Sequence, residues 1–185
     1  MKFKKIKTDR LLGISAMIIS LLTLIIFIYQ TGIIREQSKL SVKPRLDFTI
    51  NQGGNDTLVV FQQVLENKGL GPAIIDSIYF TYKGKTFPLD TENLFEDQFP
   101  KLLDYGYLTQ HATLGRGSTL MPGEERSLST YNIPVAKLDS VFYYLNVGPD
   151  DDPPFQVHAV YTSIYEDEFW KVDSNSSQPE KLDKR

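Results

Sequence analysis

The chain of 185 residues holds 23 acidic and 20 basic side chains, for a net charge of −3, and no cysteine. Disulfides, thiolate metal centres and cysteine nucleophiles are thereby excluded, and two histidines, His111 and His158, are too few for a histidine-built metal site. The charge is unevenly placed: five Lys/Arg against one Asp give Met1–Arg10 a net +4, which leaves −7 on residues 11–185; an acidic domain repels a phosphate backbone, so no nucleic-acid partner is expected.

After the basic tail of residues 1–10 comes a run without a single charge, LLGISAMIISLLTLIIFIYQTGII, residues 11–34. Roughly 20 apolar residues in a helix cross the ~30 Å hydrocarbon core of a bilayer, and the stretch Leu11–Tyr29 has that length. A cleaved signal peptide would have a shorter apolar core followed by small residues at a cleavage site, which this run lacks. The expected element is therefore one uncleaved transmembrane helix over 11–34. The N-terminal flank carries more Lys/Arg than the other flank (Arg35, Lys39, Lys43 and Arg45), which favours a cytoplasmic N-terminus and an extracytoplasmic domain on a cell (inner) membrane. Residues 35–45 read as a juxtamembrane stalk of helix-compatible composition, stopped by Pro44. The absence of a G-x-x-x-G pattern gives no indication of helix pairing.

From residue 46 to 173 the hydrophobic period changes to two. RLDFTIN alternates Leu46, Phe48 and Ile50 with polar residues, NQGGND supplies turn residues, and TLVVFQQVLEN and AIIDSIYFTYKGK read as further strands, the last ending in a hairpin turn. Between them, in LENKGLGPAIIDSIYF, Gly69 and Gly71 can adopt φ > 0 and Pro72 withholds an N–H. Such a break allows the chain to leave one sheet for a facing one, with the Asn67 amide bracing the bend. TENLFEDQFPKLLDYGY interrupts the β pattern; Asn93 and Glu96 have capping-box spacing for a short helix, and Pro100 should end it or begin another turn. SVFYYLNV, residues 140–147, and FQVHAVYTSIY read as strands, followed by a turn at YEDEF and a last strand ending near Val172. Residues 174–185, SNSSQPEKLDKR, read as a disordered tail.

The motif Asn67-x-Gly69-x-x-Pro72-Ala73 and the turn Leu120-Met-Pro-Gly-Glu124, each leading into an alternating strand, resemble those of bacterial immunoglobulin-like domains of the CARDB kind, over about Leu46–Val172. The layout of anchor plus domain resembles short single-pass bacterial membrane proteins. The resemblance implies an antiparallel immunoglobulin-like β-sandwich of about eight strands with a short helical insertion, used in adhesion or protein binding. It implies no catalytic residue.

Residue chemistry points the same way. Gly84-Lys85-Thr86 has Tyr79 where a P-loop needs its first glycine, and Ile74 stands where a dinucleotide fingerprint needs its third. No G-x-S-x-G elbow exposes a serine to His111 or His158; His158, within a strand, reads as a packed or hydrogen-bonded residue. No enzyme and no cofactor are expected. Asp150, Asp151, Asp152, Glu166, Asp167 and Glu168 form two acidic turns that could share a calcium ion, although they lack the EF-hand spacing, and charge alone would keep two such turns solvated. The insertion is a place for binding specificity, with Asn93, Phe95, Phe99 and Leu103 as partner-binding candidates; it could equally close one end of the core. The expected function is a membrane-tethered interaction module that binds another protein through loops or an edge strand. The alternative is a membrane-anchored sensor or effector subunit that recognises a small ligand or ion.

Overall fold

The computed structural model describes residues 8–89, 91–111, 114–146, 154–176 and 178–182, and the chain divides into two units after Ser41. The first unit is a single helix, α1 (Thr8–Ser41), which continues through much of the stretch expected as a stalk and ends before Pro44. Its leucines, isoleucines, Phe27 and Tyr29 are exposed. Three hydroxyls of its apolar run are turned inward onto their own helix: Ser15 donates to the Leu12 carbonyl at 2.9 Å, Thr23 to Ile19 at 2.8 Å and Thr31 to Phe27 at 2.8 Å. Polar groups satisfied in this way need no water. Among the described residues α1 is the one helix long and apolar enough to cross a membrane, with the length and composition of a span or of a signal sequence.

The second unit is mainly β. One antiparallel sheet has the order β1 (Leu46–Gly54), β2 (Leu58–Asn67), β7 (Glu125–Pro134), β5 (Tyr107–His111). The other has the order β10 (Glu180–Leu182), β9 (Phe169–Asp173), β8 (Gln156–Thr162), β3 (Ala73–Tyr82), β4 (Lys85–Pro88), with β6 (Thr119–Leu120) on the start of β3. Alternate residues of both sheets join one core: Leu46, Leu65, Leu128 and Ile133 from the first, Ile75, Phe80, Val157, Tyr161 and Val172 from the second. Burial pushes the Tyr161 hydroxyl up to about 12, and that hydroxyl accepts the Leu46 N–H at 3.3 Å. The β3–β4 hairpin turns on Lys83 (φ 48°) and Gly84 (φ 75°), the double positive φ that matches the twist of paired strands. The β1–β2 turn lies later than expected: β1 runs through Gly54, and Asn55 Oδ1 accepts the N–H groups of Thr57 at 2.9 Å and Leu58 at 3.0 Å.

The corner at Asn67–Ala73 carries the chain from the first sheet into the second, as expected. The reason for its glycines differs from the expectation. Neither Gly69 nor Gly71 has a positive φ. A Cβ on Gly69 would lie 2.3 Å from the Arg45 nitrogen, and one on Gly71 would lie 1.9 Å from the Val42 oxygen. These glycines are required because the segment Val42–Arg45 is laid against the corner backbone, where Leu70 N–H donates to Lys43 at 3.0 Å and Lys68 N–H to Arg45 at 2.8 Å.

Three other expectations are corrected. Residues 140–145 are not a strand: α4 (Leu138–Leu145) occupies them, burying Val141 and ending on Asn146 at φ 55°, ψ 44°, while Val147 lies outside the described residues. Leu138, Val141, Tyr144 and Leu145 recur at helical spacing, which outweighs the β-prone composition of VFYY. The insertion forms α2 (Thr91–Gln98) and α3 (Pro100–Tyr105), so Asn93 lies inside α2 rather than capping it. Pro100 occupies the first turn of α3, where its missing N–H costs nothing. Finally, the tail expected to be disordered contains β10, which pairs with β9 and carries an ion pair from Lys181 to Glu168 at 2.5 Å.

Candidate functional site

The residues proposed for partner contact are divided by the fold. Phe95 and Phe99 are each only 4% exposed and belong to the core. Phe95 meets Tyr131 of β7 edge-on at 5.5 Å between ring centroids, and Phe99 lies 4.7 Å from Tyr82 of β3. Both rings also pack on Phe155. The insertion thus bridges the two sheets at one end of the core and closes it, which removes Phe95 and Phe99 as contact residues. Leu103 alone among the candidates is an exposed hydrophobic residue. Truncating it to alanine should change stability by less than about 1 kcal/mol, as a denaturant midpoint would show.

Of the calcium candidates, Asp150, Asp151 and Asp152 lie outside the described residues. Glu166 is exposed at φ 51°, and Glu168 is engaged by Lys181. Among the described residues no three His, Asp or Glu side chains converge as a metal site.

The densest chemistry lies instead on the outer face of the second sheet. Because Phe80, Val157, Ala159, Tyr161, Trp170 and Val172 face the core, their neighbours Tyr79, Thr81, Gln156, His158, Lys171 and Asp173 fall on the opposite face. All of these except Asp173 border an open depression of about 510 Å³ beside the Lys83–Gly84 turn. His158 is buried there, with its Nε2 2.7 Å from Thr81 Oγ1, its Nδ1 on Asp173 Oδ1, and the Tyr79 ring 5.0 Å away. Lys171 Nζ reaches the same carboxylate at 3.1 Å. Burial would raise the pKa of Asp173, but the bonds from His158 and Lys171 outweigh it and hold the carboxyl below its ordinary value. An ionised Asp173 only accepts, so Nδ1–H donates to it, and in the neutral imidazole Nε2 is then the acceptor for the Thr81 hydroxyl.

Hydroxyl, imidazole and carboxylate in this order also describe a nucleophilic triad. Among the described residues the surroundings do not complete one. Thr81 lies in the interior of the sheet, paired with Thr86 on one side and Gln156 on the other. Its backbone groups are committed to the ladder, leaving no pair of N–H donors there for an oxyanion. The network therefore binds three strands together across their outer face. Sequence reading placed His158 as a packed, hydrogen-bonded strand residue and missed Thr81, Lys171 and Asp173; their shared outward parity across paired strands was the available signal.

A pH dependence follows. A carboxylate held below its ordinary value of 3.8 contributes stability that is complete above that value and is lost as the pH falls through the folded one. Melting temperature should thus fall more steeply with acid below about pH 4 in the wild type than in Asp173→Asn. Parallel acid limbs would contradict this.

Comparison with family models, with curated proteins and with solved structures finds no match to this chain.

Proposed function

We propose that this chain is a single-pass membrane protein in which α1 anchors a non-enzymatic, immunoglobulin-like β-domain that binds another protein. The observation that carries this reading is the pairing of a helix that is charge-free over residues 11–34, with Ser15, Thr23 and Thr31 satisfied internally, with a β-domain of two antiparallel sheets around one core. The CARDB-like resemblance receives support from an arrangement its two motifs share: both the N-x-G-x-x-P corner and the L-M-P-G-E turn are built on Asn67, whose N–H donates to Glu124 at 3.0 Å and whose carbonyl accepts from Gly123 at 2.8 Å. The flanking charges favour a cytoplasmic N-terminus and an extracytoplasmic domain on the cell membrane.

The partner surface best suited to this reading is the free edge of β1. Among the described residues this strand pairs with β2 on one side only, and its residues from Ile50 to Gly54 are exposed. Neither Lys nor Pro protects that edge within the strand, so it can accept a partner's strand. A photo-crosslinking residue at Ile50, in the full chain in intact membranes, should yield a discrete adduct that the same residue at Leu103 does not. Adducts at neither position, or equally at both, would count against the edge.

A second reading, a sensor of a small ligand, is favoured by the depression bordered by Tyr79, Thr81 and His158. Calcium is its ionic form, through Glu166, Asp167 and Glu168 with Asp150, Asp151 and Asp152. Heat on titrating millimolar calcium into the protein would support it, and a flat titration would end it.

A further inference from the structure

The domain has an apolar pole that neither reading uses. Four exposed side chains converge there: Leu70 (73% exposed) from the corner, Met121 (55%) from the β6–β7 turn, and Ile164 (49%) and Tyr165 (46%) from the β8–β9 turn. Their proximity follows from the hydrogen bonding. Asn67 Nδ2 donates to Gly71 at 2.8 Å and to Leu120 at 2.9 Å, holding the residues next to Leu70 and Met121 together. Ile74 pairs with both Thr119 and Thr162, bringing the β8–β9 turn alongside.

The same pole receives the chain from α1. That helix ends at Ser41, and Lys43, two residues later, already accepts the Leu70 N–H. Two residues of chain span at most about 7 Å. Apolar residues of α1 continue to Ile34, and the seven residues from Arg35 to Ser41 rise about 10 Å as helix, slightly more than the roughly 5–8 Å of headgroup region on one side of a bilayer. The chain is thus short enough for Leu70 to reach the headgroups of a membrane that α1 crosses.

We propose that this pole is a lipid-facing surface, with Leu70, Met121, Ile164 and Tyr165 entering the interface of the bilayer that holds α1. The proposal rests on the reading of α1 as a membrane span. Tyrosine is favoured at this depth, its ring apolar and its hydroxyl wet. Contact rests on the apolar surface of these four side chains; of the basic residues around them, Lys68 pairs with Asp47 at 2.7 Å, Arg126 with Glu124 at 2.6 Å and Lys181 with Glu168 at 2.5 Å, and Lys43 lies over the Trp170 ring at 5.5 Å. Anionic lipid should therefore not be required.

The cysteine-free chain allows a direct test. The full chain, carrying one cysteine labelled with an environment-sensitive fluorophore, is reconstituted in phosphatidylcholine vesicles with or without nitroxide-bearing lipid. Leu70→Cys, Met121→Cys and Ile164→Cys should lose fluorescence to shallow nitroxides even without added phosphatidylglycerol, whereas Tyr143→Cys on α4 should not. Phe27→Cys, quenched by deep nitroxides, separates the two claims. If Phe27 is quenched and the three pole positions are not, the lipid-facing surface is overturned while the span stands. If Phe27 is unquenched, the span itself fails. A blue-shifted but unquenched signal at the pole positions would assign the surface to a protein partner or a second copy and overturn the proposal. Quenching that requires phosphatidylglycerol would overturn its apolar basis.

Discussion

Replacing Asn67 by alanine should destabilise the β-domain by about 4 kcal/mol, lowering its melting temperature by roughly 10 °C. Asn67 is fully buried, and its amide group makes four hydrogen bonds. Nδ2 donates to the Gly71 and Leu120 carbonyls at 2.8 and 2.9 Å, while Oδ1 accepts the Gly69 N–H at 3.0 Å and the Arg45 N–H at 3.3 Å. Alanine leaves these four backbone groups to find other partners in a largely water-free corner, and an orphaned buried group costs about 1–3 kcal/mol. The costs are not additive, since Gly69 and Arg45 lie near solvent and can be rehydrated. Aspartate would keep the two acceptor bonds but lose both donor bonds and bury a charge, so Asn67→Asp should be at least as damaging. A denaturant midpoint unchanged in both variants would refute the claim that this residue joins the two turn motifs.

The second large effect is expected at Gly71. A methyl group there would lie 1.9 Å from the Val42 oxygen and 2.4 Å from its carbonyl carbon. Both are backbone atoms, which cannot rotate away as a side chain would. Gly71→Ala must therefore displace the segment Val42–Arg45 from the corner, breaking the Leu70–Lys43 and Lys68–Arg45 hydrogen bonds and removing about 3 kcal/mol or more of stability. Gly53→Ala is the control: it lies in β1 with no atom within 4 Å of the added methyl and without a positive φ, so it should be close to neutral. Equal, small effects in both variants would show that the segment is not laid against the corner.

The parts of this fold legible in the sequence are those governed by local rules. Period-two alternation identified β1, β2, β3 and β8, and the charge-free run identified α1, because both patterns are written within a single segment. The corner was legible as a break, but its physical reason was not: the clash at Gly69 and Gly71 comes from Val42 and Pro44, more than twenty residues away in sequence. At α4 a β-prone composition concealed a helical spacing that only its packing partners select. Phe95 and Phe99 were misjudged for the same reason, since an insertion rich in aromatics reads alike whether it faces a partner or closes a core. Of the outer-face network only His158 was read from the sequence, because Thr81, His158 and Asp173 belong to three strands whose register no local pattern specifies, and outward parity alone does not pair them. Likewise β10 is a strand by virtue of β9, not of its own composition.

The central claim is that α1 is retained as a membrane anchor for the β-domain. The most direct measurement is alkaline carbonate extraction of membranes from cells producing the full chain, with the mass of the recovered protein determined. The account predicts that the protein stays in the membrane pellet at a mass that includes residues 1–41. Release into the supernatant, at a mass shortened by removal of the apolar segment, would contradict it and identify α1 as a cleaved signal sequence.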